Sequence, residues 1–154
     1  MLWSIIDKYT GNPILVDFAA KIIHELNIPE RDNLALARGF QKYVQQNIKF
    51  FREYPERFAS PLRTIEWGIG DCDDKTILLA SLLRSFRLPV RLKFIRFISP
   101  KTKKRVSHVY PQVGIDGIWL TLETVQQWPI GKDGQDFLAK KKIPVKVEFK
   151  GDKL

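Results

Sequence analysis

The sequence contains a single cysteine, Cys72, and only two histidines, His24 and His108, in 154 residues. One cysteine excludes an internal disulfide and is typical of a protein from a reducing compartment. No run of 18 apolar residues occurs, which excludes a transmembrane helix. The first residues lack a basic segment and a long apolar stretch. We therefore expect no secretory signal peptide and predict a cytoplasmic protein with no membrane partner.

Internal repeats, low-complexity segments and interdomain linkers are also absent from the sequence. Hydrophobic residues make up 44% of the chain and charged residues 28%, values that exclude a disordered protein. A chain of this length can bury a sizeable core. We therefore predict one domain over residues 1–154, with a lysine-rich strand and tail over residues 138–154.

The formal net charge is +9, and the basic residues concentrate in one predicted turn and in the C-terminal segment. Solvated surface, with lysines that protect an edge strand, is the simpler interpretation. An acidic partner is the alternative. No nucleic-acid-binding motif accompanies the charge, so we expect no nucleic-acid partner. The basic residues are Lys101, Lys103, Lys104 and Arg105 in the turn, and Lys140, Lys141, Lys142, Lys146, Lys150 and Lys153 in the C-terminal segment.

Helices are predicted in the first half of the chain and strands in the second, which indicates an α+β fold with an antiparallel sheet. The last predicted helix is apolar over most of its circumference, so we expect it to be buried at the centre and to pack on the sheet. The predicted helices cover residues 12–26, 32–48, 60–66 and 72–86. The predicted strands cover residues 90–98, 105–115, 118–125 and 145–149, and residues 50–58 are predicted to be extended, with a break at Pro55.

Cys72 lies at the predicted start of the central helix, in the segment Gly70-Asp71-Cys72-Asp73-Asp74-Lys75, after a predicted flexible approach at Gly68 and Gly70. Unpaired N–H groups and the helix dipole favour the thiolate, the form that attacks carbonyl groups. The three aspartates oppose it, and the helix end contributes only about 0.3–1 kcal/mol. An adjacent imidazolium must therefore supply most of the stabilisation. Two of the aspartates are expected to point away, into caps or into salt bridges with Lys75 or an arginine.

The base for such a thiol must be one of the two histidines. His24 lies off the apolar stripe of the first predicted helix, and an exposed helix position explains it. His108 lies on a predicted strand, and a histidine that a rigid strand presents to a helix N-terminus is a workable base. His108 is therefore the candidate.

Two acidic residues, Asp116 and Glu123, could orient this imidazole. Asp116-Gly117 predicts a two-residue hairpin, which places Glu123 opposite Tyr110 and diagonal to His108 on the same face. A four-residue loop over residues 114–117 would instead place Glu123 directly opposite His108. Only an odd loop or a bulge would separate the two side chains. Asp116 lies at the turn, out of reach, so Glu123 is the candidate acid.

A thiol, a histidine and a carboxylate in these roles form the Cys-His-acid arrangement of acyl transfer. In this hypothesis Cys72 attacks an amide carbonyl, His108 carries the proton and Glu123 holds the imidazole. The backbone N–H of Cys72 is the first candidate donor to the oxyanion. The second donor is not identified, because a polar helix face explains Gln45 and Gln46 equally well.

The same residues resemble the core of the transglutaminase-like superfamily, from about Leu34 to Val125. The resemblance implies a papain-like fold, a Cys72-His108-Glu123 triad and a protein or peptide substrate. Two departures from the family pattern are Glu123, where an aspartate is usual, and Arg87-Leu88, where the exit from the helix usually has glycine. The matching motifs are Gly70-Asp71-Cys72-Asp73-Asp74-Lys75, Leu88-Pro89-Val90-Arg91, His108-Val109-Tyr110 and Trp119-Leu120-Thr121-Leu122-Glu123.

Three functions fit these residues and this resemblance. The first is a cysteine hydrolase of the protease or amidase type, and the second is a protein-glutamine acyltransferase that resolves the same thioester with an amine. The third is a catalytically silent binding or assembly module. Whether water or an amine reaches the thioester depends on the residues that line the cleft. Trp67, Trp119 and Trp128 are candidates for this lining. No cofactor and no metal ion are predicted.

Overall fold

The structure, a computed structural model, describes residues 1–52 and 58–154, so the predicted break at Pro55 lies outside the described residues. Six helices and six strands occur within those ranges. The helices are α1 (Leu2–Tyr9), α2 (Pro13–Glu25), α3 (Asn33–Asn47), α4 (Pro61–Trp67), α5 (Cys72–Ser85) and α6 (Gly134–Lys140). The strands are β1 (Lys49–Phe50), β2 (Ile69–Gly70), β3 (Val90–Ile98), β4 (Arg105–Ile115), β5 (Ile118–Thr121) and β6 (Lys146–Gly151).

The predicted helices begin at the residues whose side chains cap them. Asn12 accepts hydrogen bonds from the backbone N–H groups of Ile14 and Leu15, at 3.0 and 3.1 Å. Asp32 caps α3 and Ser60 caps α4 in the same way. Each cap satisfies N–H groups that have no partner within the helix. The predicted starts of α2, α3 and α4 are therefore confirmed.

Helix α5 lies at the centre of the core. All ten residues from Asp74 to Leu83 are buried, and helices α1, α3 and α4 pack around α5 together with strand β4. An apolar helix that is covered on every side confirms the predicted central position. Its first residue, Cys72, is only partly buried, so the thiol lies where the core meets the surface.

Four strands form one antiparallel sheet in the order β5-β4-β3-β6. Strands β3 and β4 have the predicted bounds. The turn between β4 and β5 consists of Asp116 and Gly117, which both have positive φ angles, 53° and 77°. This geometry matches the right-handed twist of the flanking strands. Ile115 therefore pairs with Ile118, and Gln112 with Thr121, which confirms the predicted two-residue hairpin.

The approach to Cys72 is a strand and not the flexible segment that the glycines predict. Strand β2 pairs with β1 in parallel, and Gly70 is opposite Phe50. A Cβ atom at Gly70 would lie 2.8 Å from the Cβ of Asp74. Glycine therefore allows the first turn of α5 to pack closely against this strand.

Helices α1 and α6 are absent from the sequence prediction, because each is short and buries few of its residues. In α1 only Leu2 and Ile6 are buried, and in α6 only Leu138. Among the described residues, no helix is long and apolar enough to cross a membrane.

Candidate active site

The start of α5 is fixed by a reciprocal pair of aspartates on either side of Cys72. Asp74 donates its backbone N–H to the carboxylate of Asp71 at 3.0 Å, and Asp71 donates its own to the carboxylate of Asp74 at 3.3 Å. Asp74 also accepts the N–H of Ala59 at 2.7 Å. Burial and the charge of Asp71 raise the pKa of Asp74 to about 6, against these backbone hydrogen bonds. Two of the three aspartates thus serve as caps, as predicted.

A contact between α5 and β4 brings Cys72 and His108 together. Thr76, one turn after Cys72, donates its hydroxyl to the backbone carbonyl of Val109 at 3.2 Å. Val109 follows His108 directly in the chain. The hydrogen bond therefore holds the first turn of α5 beside the strand that carries the imidazole.

The imidazole of His108 bonds the carboxylate of Glu123 and lines the same cleft as the thiol of Cys72. Its Nε2 lies 2.6 Å from Oε1 of Glu123. Burial lowers the pKa of His108, but hydrogen bonds to Cys72 and Glu123, together with the charges of these two groups, raise it from 6.5 to about 10. At neutral pH the ring therefore carries a proton.

The carboxylate of Glu123 is buried and fully engaged. Its second oxygen accepts the backbone N–H groups of Val125 and Gln126, at 2.7 and 3.4 Å. Burial alone would raise the pKa of Glu123, but the hydrogen bond and charge of His108 and the two backbone donors hold it below its usual range. Glu123 is therefore ionised at neutral pH.

The route by which Glu123 reaches His108 differs from the prediction. Strand β5 ends at Thr121 and not at Val125. Leu122 makes one more backbone hydrogen bond, to Pro111, and Glu123 then binds His108 and its own loop instead of continuing the ladder. The expected pairing of Tyr110 with Glu123 does not form. Glu123 instead reaches the imidazole from the loop that follows β5.

Two glutamines of α3 hold this loop in place. The side-chain amide of Gln41 donates to the backbone carbonyls of Glu123 and Trp128 at 3.1 and 3.2 Å. The amide of Gln45 lies 2.8–3.0 Å from the carbonyls of Glu123, Gln126 and Trp128. Gln45 therefore positions the loop and does not offer its N–H groups as an oxyanion donor.

The other candidates from the sequence lie outside the site. Gln46 is exposed, and His24 is exposed in the last turn of α2. Asp116 shapes the hairpin turn. Lys75 is buried, with 1% of its surface exposed. Burial lowers its pKa, and the negative charge of Glu123 opposes this shift.

A cleft of about 400 Å³ opens beside Cys72, His108 and Glu123. Trp128 lines it. Trp67 and Trp119 are not among the described lining residues. Arg63 stacks on Trp67, and Arg91 stacks on Trp119. The rest of the described lining is mostly apolar and consists of Phe50, Arg52, Ile95, Phe97, Val106, Ser107, Val125, Gln126, Gly134, Phe137 and Leu138.

No sequence motif predicts Asp133, whose buried carboxylate bonds residues on the strands that carry the site. It accepts hydrogen bonds from Lys93 of β3, Tyr110 of β4 and Thr121 of β5, at 2.7, 2.5 and 2.7 Å. Tyr110 lies two residues after His108, and Thr121 two residues before Glu123. The described residues contain no cluster of three or more His, Cys, Asp or Glu that could hold a metal ion.

Comparison with protein families places these motifs in a known group. The model of the transglutaminase-like superfamily matches residues 20–124. The chain therefore belongs to the transglutaminase-like superfamily. A comparison with curated protein sequences finds no significant match.

Two solved structures show the same fold at low sequence identity. A protein from Cytophaga hutchinsonii, named as a candidate cysteine protease, has a TM-score of 0.57 and 16% identity, over 90% of this chain and 52% of that one. Calcium-bound LapG from Legionella pneumophila has a TM-score of 0.56 and 16% identity, over 94% of this chain and 79% of that one. The chain thus spans about half the length of the Cytophaga protein. These structures confirm the predicted papain-like α+β fold.

Proposed function

We propose that the protein is a cysteine hydrolase that cleaves peptide or amide bonds through a thioester. The observation that carries this proposal is the position of the His108 ring, which bonds Glu123 at 2.6 Å and lines the same cleft as Cys72. A histidine between a thiol and a carboxylate has the geometry of a nucleophile, a proton carrier and an orienting acid. The proposed roles follow this order.

In the first half of the reaction the sulfur of Cys72 attacks the carbonyl carbon, and the carbonyl electron pair moves to oxygen. The backbone N–H of Cys72, which has no partner within the helix, donates to this oxyanion. The intermediate collapses, the C–N bond breaks, and His108 gives its proton to the departing amine. The product is a thioester between Cys72 and the acyl group.

In the second half a water molecule attacks the thioester. His108 takes a proton from the water, the C–S bond breaks, and the carboxylic acid leaves. The sulfur of Cys72 and the protonated ring are then restored. Throughout the cycle Glu123 keeps the ring oriented through Nε2 and offsets its positive charge.

Incubation with a casein-type substrate tests this proposal. We expect peptide release that is lost in C72A and in H108A and is kept in H24A, the matched control at the other histidine. A primary amine is included in parallel reactions. Incorporation of the amine into glutamine side chains would overturn hydrolysis in favour of acyl transfer. The absence of both products would favour a catalytically silent module.

A further inference from the structure

The apolar floor of the cleft is partly open to solvent beside the reactive groups. Phe137 and Phe50 are 49% and 47% exposed, and Phe97, Val106 and Trp128 line the same space. Binding becomes more favourable when a ligand covers large apolar side chains, because apolar surface is then removed from water. The cleft is therefore suited to an apolar side chain next to the carbonyl that Cys72 attacks.

Three cationic side chains border this floor. Arg52 lines the cleft. The ammonium group of Lys132 lies 4.7 Å from the ring centre of Trp128, and that of Lys141 lies 4.5 Å from the ring centre of Phe137. A cation over an aromatic face is held near the ring while its charge stays in contact with solvent.

The described lining of the cleft itself contributes no net negative charge. The one carboxylate there is that of Glu123, and the protonated ring of His108 neutralises it. The net charge of the chain is +9, so the wider field also favours an anionic ligand. The cleft therefore combines an apolar floor with a cationic rim.

We infer that the cleft takes an acidic polypeptide segment, with a large apolar side chain next to the scissile carbonyl and carboxylates on the flanking residues. The apolar side chain covers the floor formed by Phe97, Val106 and Phe137. The flanking carboxylates lie against Arg52, Lys132 and Lys141. This inference rests on the proposed function for the bond that is cut, but the docking preference can be measured without cleavage.

Three peptides with a C-terminal chloromethyl ketone group test the preference. Each carries leucine next to the reactive group and either two glutamates, two glutamines or two lysines beyond it. The sulfur of Cys72 displaces chloride and forms a C–S bond, and mass spectrometry gives the rate of labelling. We expect the glutamate peptide to label about tenfold faster than the lysine peptide at low salt, since each exposed ion pair contributes little by itself. The difference should shrink at high salt.

Substitution of the rim tests whether these cations set the preference. The triple variant R52Q/K132Q/K141Q should label all three peptides at similar rates. K8Q is the matched control, because Lys8 also lies over an aromatic ring, that of Tyr9 at 5.7 Å, on α1 and away from the cleft. Equal rates in the wild type, or a preference that persists in the triple variant, would overturn the inference.

Two further measurements separate this inference from other outcomes. Serine in place of the leucine should slow labelling, and equal rates would contradict the apolar floor. Protection of Cys72 by a single-stranded oligothymidylate at lower concentration than by the glutamate peptide would overturn a polypeptide ligand in favour of a nucleic acid. If the glutamate peptide labels fastest but its amide counterpart is never cleaved, the docking preference stands and the proposed hydrolase function fails.

Discussion

At the scale of single residues, the imidazole of His108 is the group through which Cys72 and Glu123 affect each other. The carboxylate bonds Nε2 at 2.6 Å, and the thiol and the carboxylate together raise the pKa of the ring to about 10 despite its burial. The helix end alone contributes about 0.3–1 kcal/mol to a negative charge on sulfur. The imidazolium is therefore the main partner of the thiolate in the proposed mechanism.

Substitution of Glu123 tests its proposed role as the orienting acid. E123Q removes the charge, so the pKa of His108 should fall from about 10 toward 6.5, and kcat/KM should drop about 10²-fold or more. E123D keeps the charge on a shorter side chain, and we expect a smaller loss. NMR titration of the ring gives the pKa, and peptide cleavage gives kcat/KM. Equal activity of E123Q and E123D would contradict the role.

The raised pKa of His108 also predicts how stability depends on pH. The ring binds its proton more tightly in the folded than in the unfolded chain. Its contribution is therefore complete below pH 6.5 and is lost as the pH rises through about 10. Urea unfolding of the wild type and H108Q at pH 6, 8 and 10 measures this contribution. The difference between them should shrink toward pH 10, and a constant or growing difference would contradict the account.

At the scale of secondary-structure elements, the site depends on the loop between β5 and α6. Glutamines of α3 bind the backbone carbonyls at its start, and Asp133 at its end accepts hydrogen bonds from three strands. Hydrogen bonds from Lys93, Tyr110 and Thr121 hold the pKa of Asp133 below its usual range, although burial raises it. Both ends of the loop are thus fixed, and Glu123 lies at the fixed start.

Removal of the Asp133 carboxylate should destabilise the protein. D133A leaves the ammonium group of Lys93 without its buried partner, and the two side chains are only 7% exposed. We expect a loss of about 3–5 kcal/mol in the free energy of unfolding in urea, because a buried charge is left uncompensated. D136A, at an exposed position in the first turn of α6, is the matched control and should change little. A loss in D133A as small as that in D136A would refute the structural role.

The sequence predicts those elements whose signals are local. The starts of α2, α3 and α4 follow from caps within three residues, and Asp116-Gly117 sets the register of the hairpin. The end of β5 could not be predicted, because Glu123 binds His108 and its own loop there instead of continuing the ladder. Apolar residues alternate at Ile118, Leu120 and Leu122, past the last residue of β5, and give no signal of the turn.

For the site too, the sequence predicts residues that lie in local motifs and misses residues that depend on distant partners. The order of the motifs and the small number of histidines identified Cys72, His108 and Glu123, and the structure places these three together. Gln45 and Asp133 depend on partners far away in the chain. Gln45 is 78 residues from Glu123, and Asp133 is 40 residues from Lys93. Neither position has a local pattern that distinguishes it from a polar surface residue.

At the scale of the whole molecule, Arg84 joins both terminal segments to the central helix. It lies near the end of α5 and bonds Asp152, after β6, at 3.0 Å and Thr10, after α1, at 2.9 Å. Asp152 also accepts the backbone N–H of Val90 at 3.1 Å. This cluster lies at the end of α5 opposite Cys72, so it stabilises the fold without touching the cleft. The single domain over residues 1–154 and the cytoplasmic location stay predictions.

Loss of the Asp152 side chain should therefore reduce stability and leave the thiol unchanged. D152A removes charged hydrogen bonds from a partly buried arginine, which should cost about 1.5–3 kcal/mol in the free energy of unfolding. D7A removes the other ion pair of Arg84, whose aspartate is 70% exposed, and should cost less than about 1 kcal/mol. Urea unfolding compares the two variants. Equal costs would show that the Asp152 contacts are not the stabilising ones.

Alkylation of Cys72 by iodoacetamide between pH 6 and 9 tests most directly whether His108 activates the thiol. The account predicts rapid labelling of the wild type at pH 7, labelling at least about tenfold slower in H108A, and no change in H24A, since the thiolate is the reactive form and the imidazolium stabilises it. Labelling of H108A as fast as that of the wild type across this range would contradict the account.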